Sequence, residues 1–215
     1  MAQVVIAVRG GRTAKSRCAG TLSGADRAQL TIMMLEDMLA ALARCEDVSQ
    51  AWVVTPTPDL AAIARDHGAR TIRQPRAAGL NAAFRLAMAE VSEIAPYDAL
   101  VLMPGDLPRL APEDLSAALR LVRTHAVTLA PSMDGGTGLV ALRAGTTLAP
   151  AFGARSFRRH AGAAERRGLS VAVVGADSLS RDVDRPDDLI DVMHSAAATR
   201  TAAFLRERLK PRIRS

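Results

Sequence analysis

Short, almost wholly apolar runs rich in valine and alanine alternate along this 215-residue chain with longer stretches of helical period. Gln3-Val-Val-Ile-Ala-Val8 carries no polar residue after Gln3, as expected of a strand covered on both faces. Residues 25–44 then place Leu30, Met34, Met38 and Leu42 at helical spacing, with Ser23 as a candidate N-cap. The next strand is read at 51–55, followed by a helix over 58–66 that Gly68 can end, and a weak strand at 70–73. A helix from Leu80 to Val91, a strand at 98–103 and a helix opened by Pro112-Glu-Asp come next. The runs 127–132 and 138–144 look like paired strands, 155–167 a basic helix, 169–175 a strand, and a final helix begins at Pro186. A βαβα series of this kind predicts one α/β domain over residues 1–197, three-layer α/β/α, with a mostly parallel mixed sheet. Residues 198–215 are read as a basic C-terminal tail or helix.

Only 3% of the residues are aromatic, so the core has to be built from Ala, Leu and Val, which suits helices packed on a buried sheet. The net charge of +6 suggests nucleic acid until it is located: residues 198–215 hold six Lys or Arg against Glu207, leaving the rest nearly balanced. That tail has a single aromatic, Phe204, and no interleaved series of them to stack bases, so no nucleic-acid partner is expected. The N-terminus lacks a basic lead-in and a cleavage signal, and no apolar run nears the roughly 20 residues that span a bilayer. Cys18 and Cys45 are too far apart for a metal knuckle. The expectation is a cytoplasmic protein with no membrane partner.

Sheets of this class bind ligands at the carboxyl ends of their strands, which directs attention to four loops. In the first, Arg9-Gly-Gly-Arg-Thr-Ala-Lys-Ser-Arg17, Gly10 and Gly11 let backbone N–H groups approach an anion, and Arg9, Arg12, Lys15 and Arg17 supply charge. It is not a P-loop, because Ala14 stands where that motif needs glycine. Gly136–Ala141 imitates a dinucleotide fingerprint but is followed by a strand. In Pro104-Gly-Asp-Leu-Pro108, Gly105 leaves a ligand unobstructed and Asp106 ends the strand. Asp182 and Asp184 lie one residue apart, so an extended segment points both carboxylates to one side and Val183 to the core. Such carboxylates repel unless a cation lies between them. Asp187 and Asp188 fit as first-turn acids of the final helix. Asp106, Asp182 and Asp184 facing a cationic glycine loop describe a site for Mg²⁺ and a polyphosphate.

The chain resembles the phospholactate guanylyltransferases of deazaflavin-coenzyme biosynthesis, within the nucleotide-diphospho transferase superfamily, whose fold is glycosyltransferase-A-like. The matching stretches are 14–17, 22–30, 79–83, 104–110, 136–138, 152–160 (Phe-Gly-Ala-Arg-Ser-Phe-Arg-Arg-His) and 182–189. The resemblance implies transfer of GMP from GTP to the phosphate of a small phosphorylated carboxylic acid: 2-phospho-L-lactate, phosphoenolpyruvate or 3-phosphoglycerate. It implies Asp106, Asp182 and Asp184 as Mg²⁺ ligands, Lys15 and its neighbours as the triphosphate grip, and Gly79, Leu80 and Asn81 near the nucleoside. Thr137, Gly153 and Ser156 look like acceptor-binding positions, with Arg155. The cationic run Arg155, Arg158, Arg159 and His160 suits an acid bearing phosphate and carboxylate. Two departures stand out: Ala7 and Arg9 replace the family's Pro and Lys, and Leu139-Val140 replaces its Thr-Asn, which would remove polar groups beside the acceptor. The alternatives are a molybdenum-cofactor or sugar-phosphate nucleotidyltransferase, which usually carries a longer first loop, and a non-catalytic nucleotide- or RNA-binding module. A homodimer is left open.

Overall fold

The computed structural model describes residues 1–75 and 78–213, with 210–213 as backbone only. Its centre is a seven-stranded sheet in the order β3-β2-β1-β4-β6-β5-β7. The strands are β1 (Ala2–Ala7), β2 (Val48–Thr55), β3 (Arg70–Arg73), β4 (Ala99–Pro104), β5 (Val127–Pro131), β6 (Thr137–Leu142) and β7 (Val171–Val173). β6 runs antiparallel to both neighbours, β4 and β5, and every other pairing is parallel. The helices are α1 (Gly24–Leu42), α2 (Pro58–Asp66), α3 (Leu80–Ile94), α4 (Pro112–Val122), α5 (Ser156–Glu165), α6 (Asp177–Ser180), α7 (Pro186–His194) and α8 (Arg200–Ile213).

The expected three-layer, mostly parallel mixed sheet is what forms, because successive buried residues of each strand serve opposite faces. Val4 and Ile6 pack with Leu35, Met38, Leu60 and Leu115 of α1, α2 and α4. Val5 and Ala7 pack with Phe84, Ala87 and Val91 of α3 and Ala164 of α5. Ser23 caps α1 by accepting the Asp26 N–H at 3.1 Å, and Gly68 takes φ +76° after α2, as their positions predict. Among the described residues no helix is long and apolar enough to cross a membrane.

One expectation needs correction: the strand read at 169–175 shrinks to Val171–Val173, since at the sheet edge only those three residues pair with β5. Pro186 opens α7 as expected, and the basic segment, read as a tail or helix, forms α8, which begins after Ser195 turns extended and is started by Asp37 of α1. The Asp37 carboxylate accepts the N–H groups of Arg200 and Thr201 and the Thr201 hydroxyl at 2.7–2.9 Å. α8 also buries Ala202, Leu205 and Leu209 in a third cluster with Leu30 and Met34 of α1, so the basic segment is partly core.

Candidate active site

The C-terminal ends of β1 and β4 lie side by side and set the site. Gly105 N–H donates to Ala7 C=O at 3.0 Å, and a Cβ on Gly105 would come within 2.7 Å of Val8 Cβ. Gly105 is therefore glycine so that the two strand ends can close on one another, not to clear a ligand's approach as its position suggested. Asp106 follows at once, and its carbonyl accepts the Val183 N–H at 3.0 Å. That single backbone bond docks the 182–184 segment onto the end of β4. Val183 is fully buried and its neighbours turn the other way, so one oxygen each from Asp106, Asp182 and Asp184 lies within 4.8 Å of the other two.

Lys15 completes the cluster. Its Nζ donates to Asp106 Oδ2 at 2.6 Å and to Asp184 Oδ1 at 2.9 Å, and Arg17 adds a bond to Asp184 Oδ2 at 3.0 Å. Lys15 reaches there from a left-handed backbone (φ 48°), a conformation unusual for a residue with a side chain. Arg27 of α1 holds that loop: its guanidinium donates to the carbonyls of Arg12, Ala14 and Leu22 at 2.7–3.1 Å. Burial alone would lower the Lys15 ammonium, but attraction from Asp106 and Asp184 overrides it and holds it above its ordinary value. Burial pushes the Asp184 carboxyl up, and the cations of Lys15, Arg17 and Arg185 bring it below the usual range. Asp182 is held above that range by burial and by Asp106 and Asp134, against a 2.7 Å hydrogen bond donated by Ser132. Asp106 Oδ1 is buried and has no protein partner among the described residues.

Lys15, Arg17, Asp106 and Asp184 line a cleft of about 470 Å³, and Asp182 lines a smaller one beside it. Arg9, Lys15 and Arg17 give the larger cleft's lining positive charge, and Gln74, Gly79 and Leu80 line it together with the apolar Ala7, Val54 and Ala83. Gln74 escaped the sequence reading; it is almost buried, and a glutamine there carries no signal of its own. Gly10, Gly11 and Arg12 do not line the cleft. Gly10 packs on Leu60 and gives its N–H to Thr57 at 3.3 Å, so it is spent inside the fold. Asn81 exchanges two hydrogen bonds with the Phe152 backbone (2.7 and 3.0 Å), tying the rim of the cleft to the 151–153 segment. The carboxylate set is all oxygen, the donor type of a hard divalent cation, and the orphaned Asp106 oxygen and the raised Asp182 both fit such an ion.

Thr137, Gly153, Arg155 and Ser156 line neither this cleft nor the smaller one beside Asp182. The Ser156 hydroxyl donates to Thr137 Oγ1 at 2.9 Å, and His160 Nδ1 lies 3.0 Å from the same oxygen. His160 Nε2 accepts the Ala151 N–H at 2.8 Å, which leaves the ring proton on Nδ1 and makes it the donor to Thr137. His160 is thus a buried neutral strut and not part of the cationic run; burial, with Arg159 nearby, pushes it down to about 4. Arg155 and Arg158 are exposed at the start of α5. Leu139 and Val140 lie in the middle of β6 and are buried in opposite core layers, so they leave no gap beside a ligand. Gly138 is dictated by packing, since a Cβ there would collide with the Leu179 carbonyl.

A neutral buried histidine has a sign-definite consequence. The unfolded chain binds its proton near pH 6.5 and the folded chain only near pH 4, so stability falls as pH drops between these values. Denaturant titrations at pH 7 and pH 5 are expected to differ by on the order of 2 kcal/mol from this group. His160→Gln should lose that part of the pH dependence, and an unchanged dependence would show that His160 is not the titrating group.

A family model described as "Guanylyl transferase CofC like" matches residues 2–212. The chain is 52% identical over 218 residues, covering all of both chains, to the 3-phospho-D-glycerate guanylyltransferase of Phenylobacterium zucineum. It is 34% identical over 186 residues to the phosphoenolpyruvate guanylyltransferase of Sphaerobacter thermophilus, covering 86% of this chain and 89% of that one. Among solved structures, a provisionally named nucleotide-diphospho-sugar transferase from Desulfovibrio desulfuricans G20 superposes with a TM-score of 0.83 at 22% identity, over 99% of this chain and 96% of that one. A nucleotidyl transferase from Methanothermobacter gives 0.64 at 18% identity, covering 96% and 99%. The two structures show the shared fold, and the family model and the full-length relative establish that this chain belongs to the CofC-like guanylyl transferases.

Proposed function

We propose that the protein transfers GMP from GTP to the phosphate of a small phosphorylated carboxylic acid and releases pyrophosphate, as a step of deazaflavin-coenzyme biosynthesis in the cytoplasm. The observation that carries this reading is the convergence of the Asp106, Asp182 and Asp184 carboxylates, with Lys15 bonded to Asp106 and Asp184, beside a nucleotide-sized cleft. 3-Phosphoglycerate is the leading acceptor, because the relative of that name matches over its full length; phosphoenolpyruvate and 2-phospho-L-lactate follow.

The chain's own residues supply binding and charge. Lys15, Arg9 and Arg17 face the triphosphate, while Gln74, which has both a donor and an acceptor, lies with Gly79 and Leu80 at the nucleoside end. Asp106, Asp182 and Asp184 would hold Mg²⁺, which when bound neutralises phosphate charge and orients the leaving group. An acceptor phosphate is already ionised near neutral pH, so no general base is needed, and positioning with charge stabilisation suffices. Thr137 Oγ1 accepts from both Ser156 and His160 and neither hydroxyl lines a cleft, so Thr137 and Ser156 tie α5 to β6 rather than bond the acceptor. The Ser156 N–H donates to the Gly153 carbonyl at 3.0 Å, so the next first-turn amides of the ten-residue α5, with exposed Arg155, are the groups left to meet the acceptor's anion.

The test is pyrophosphate release from protein, Mg²⁺ and each nucleoside triphosphate with each of the three phospho-acids. Release is expected with GTP, fastest with 3-phosphoglycerate. No release from any pair would overturn the enzyme reading in favour of a binding module.

A further inference from the structure

Asp184 hangs on a short extended segment between a buried valine and the start of α7, and something must stop that segment from rotating its carboxylate away. The Val183 N–H bond to Asp106 fixes one end. At the other end the Asp188 carboxylate reaches back along the chain: a single oxygen, Oδ2, accepts the N–H of Asp184 at 2.8 Å and the N–H of Arg185 at 2.6 Å. Asp188 lies in the first turn of α7, where its N–H donates to the Arg185 carbonyl at 3.1 Å, so helix and segment are cross-linked in both directions. The neighbouring first-turn acid, Asp187, is exposed and has no such hydrogen bond in the described structure. Asp188 was expected to serve only the helix terminus.

We propose that Asp188 is a positioning residue for Asp184: by collecting two consecutive backbone amides it holds the 182–184 segment extended and keeps the Asp184 carboxylate on the side of Asp106. The proposal rests on reading Asp106, Asp182 and Asp184 as a divalent-cation site. Hydrogen bonds to an ionised acceptor are roughly twice as strong as neutral ones, and these two reach the backbone of the ligand Asp184 and of its neighbour Arg185 rather than the ion. Asp188 acts by geometry, so a neutral side chain of the same shape should retain most of its effect. An asparagine carbonyl oxygen has two lone pairs and can accept both amides.

The experiment is Mn²⁺ titration of the full-length protein followed by the electron paramagnetic resonance of free Mn²⁺, with no nucleotide present, alongside thermal unfolding. Asp188→Ala is expected to weaken Mn²⁺ binding tenfold or more, Asp188→Asn by about threefold or less, and Asp187→Ala not at all, although both alanine variants lose a first-turn acid. If Asp188→Ala unfolds, Asp188→Ser replaces it, because its hydroxyl lies one bond nearer the backbone and cannot span both amides. Unchanged Mn²⁺ affinity in the alanine or serine variant would overturn the proposal and leave Asp188 a helix-terminal acid. Asp188→Asn binding as weakly as the alanine variant would overturn it too, assigning the effect to charge. Failure of the unaltered protein to bind Mn²⁺ would overturn the divalent-site reading itself, and this proposal with it.

Discussion

Asp106→Ala is expected to lower GMP transfer by about a hundredfold or more, the equivalent of about 2.7 kcal/mol in the barrier, while the protein stays folded. Both halves of that result come from the geometry. The link between the β4 end and the 182–184 segment runs through the Asp106 carbonyl, which the substitution keeps. Lys15 still has Asp184, and Asp182 loses a repelling neighbour, which offsets part of the attraction lost with Asp106. The side chain, by contrast, has one oxygen on Lys15 and the other buried without a protein partner, a costly arrangement unless a cation uses it. Asp106→Asn keeps the shape and should fail almost as badly, since an amide carries no charge for a divalent ion. Steady-state pyrophosphate release with thermal unfolding reads both quantities. A folded Asp106→Ala protein turning over near the normal rate would remove this residue from the mechanism.

The sheet was legible because Val4 and Ile6, and Val5 and Ala7, can be sorted to opposite faces by parity alone. The same parity rule placed Asp182 and Asp184 together with Val183 inward, without knowing where the segment would dock. What parity does not contain is the spatial order β4-β6-β5: an antiparallel strand inserted between two others depends on long-range pairing. Glycines were the least readable residues. Gly10, Gly105 and Gly138 look like ligand-facing positions in the sequence, yet each is small because another part of the protein presses on it. Arg27 and Ser132 were passed over, and Asp188 was read only as a first-turn acid, for a related reason. Arg27 and Asp188 find their partners in backbone groups and Ser132 in a carboxylate fifty residues away, and neither leaves a pattern of residue types to recognise. His160 misled in the opposite direction, since its place in an arginine run suggested charge while its burial makes it neutral.

Lys15→Met is expected to separate two quantities that most active-site substitutions move together. The methionine keeps the length and apolar stem of lysine but deletes the ammonium that now lies 2.6 Å from Asp106 and 2.9 Å from Asp184. For GTP the loss is direct. A nearly buried cation where the triphosphate is proposed to lie is a preorganised charge, and removing one such donor typically costs about 10²–10³ in turnover. kcat/KM for GTP should fall by at least that factor. Lys15→Arg should restore little, because a planar fork does not fit where a compact ammonium is held between two carboxylates. For the divalent ion the sign reverses. The ammonium competes for oxygens of two proposed ligands, so without it their charge is uncompensated and Mn²⁺ should bind the resting protein more tightly than before. Lys15 would then serve as the resting protein's internal counter-ion, moving to the nucleotide as the divalent ion takes its place among the carboxylates. Tighter Mn²⁺ binding together with collapsed kcat/KM is the pattern to look for. Weaker Mn²⁺ binding, or a kcat/KM near the unaltered value, would show that Lys15 holds the loop in place and does not exchange with the ion.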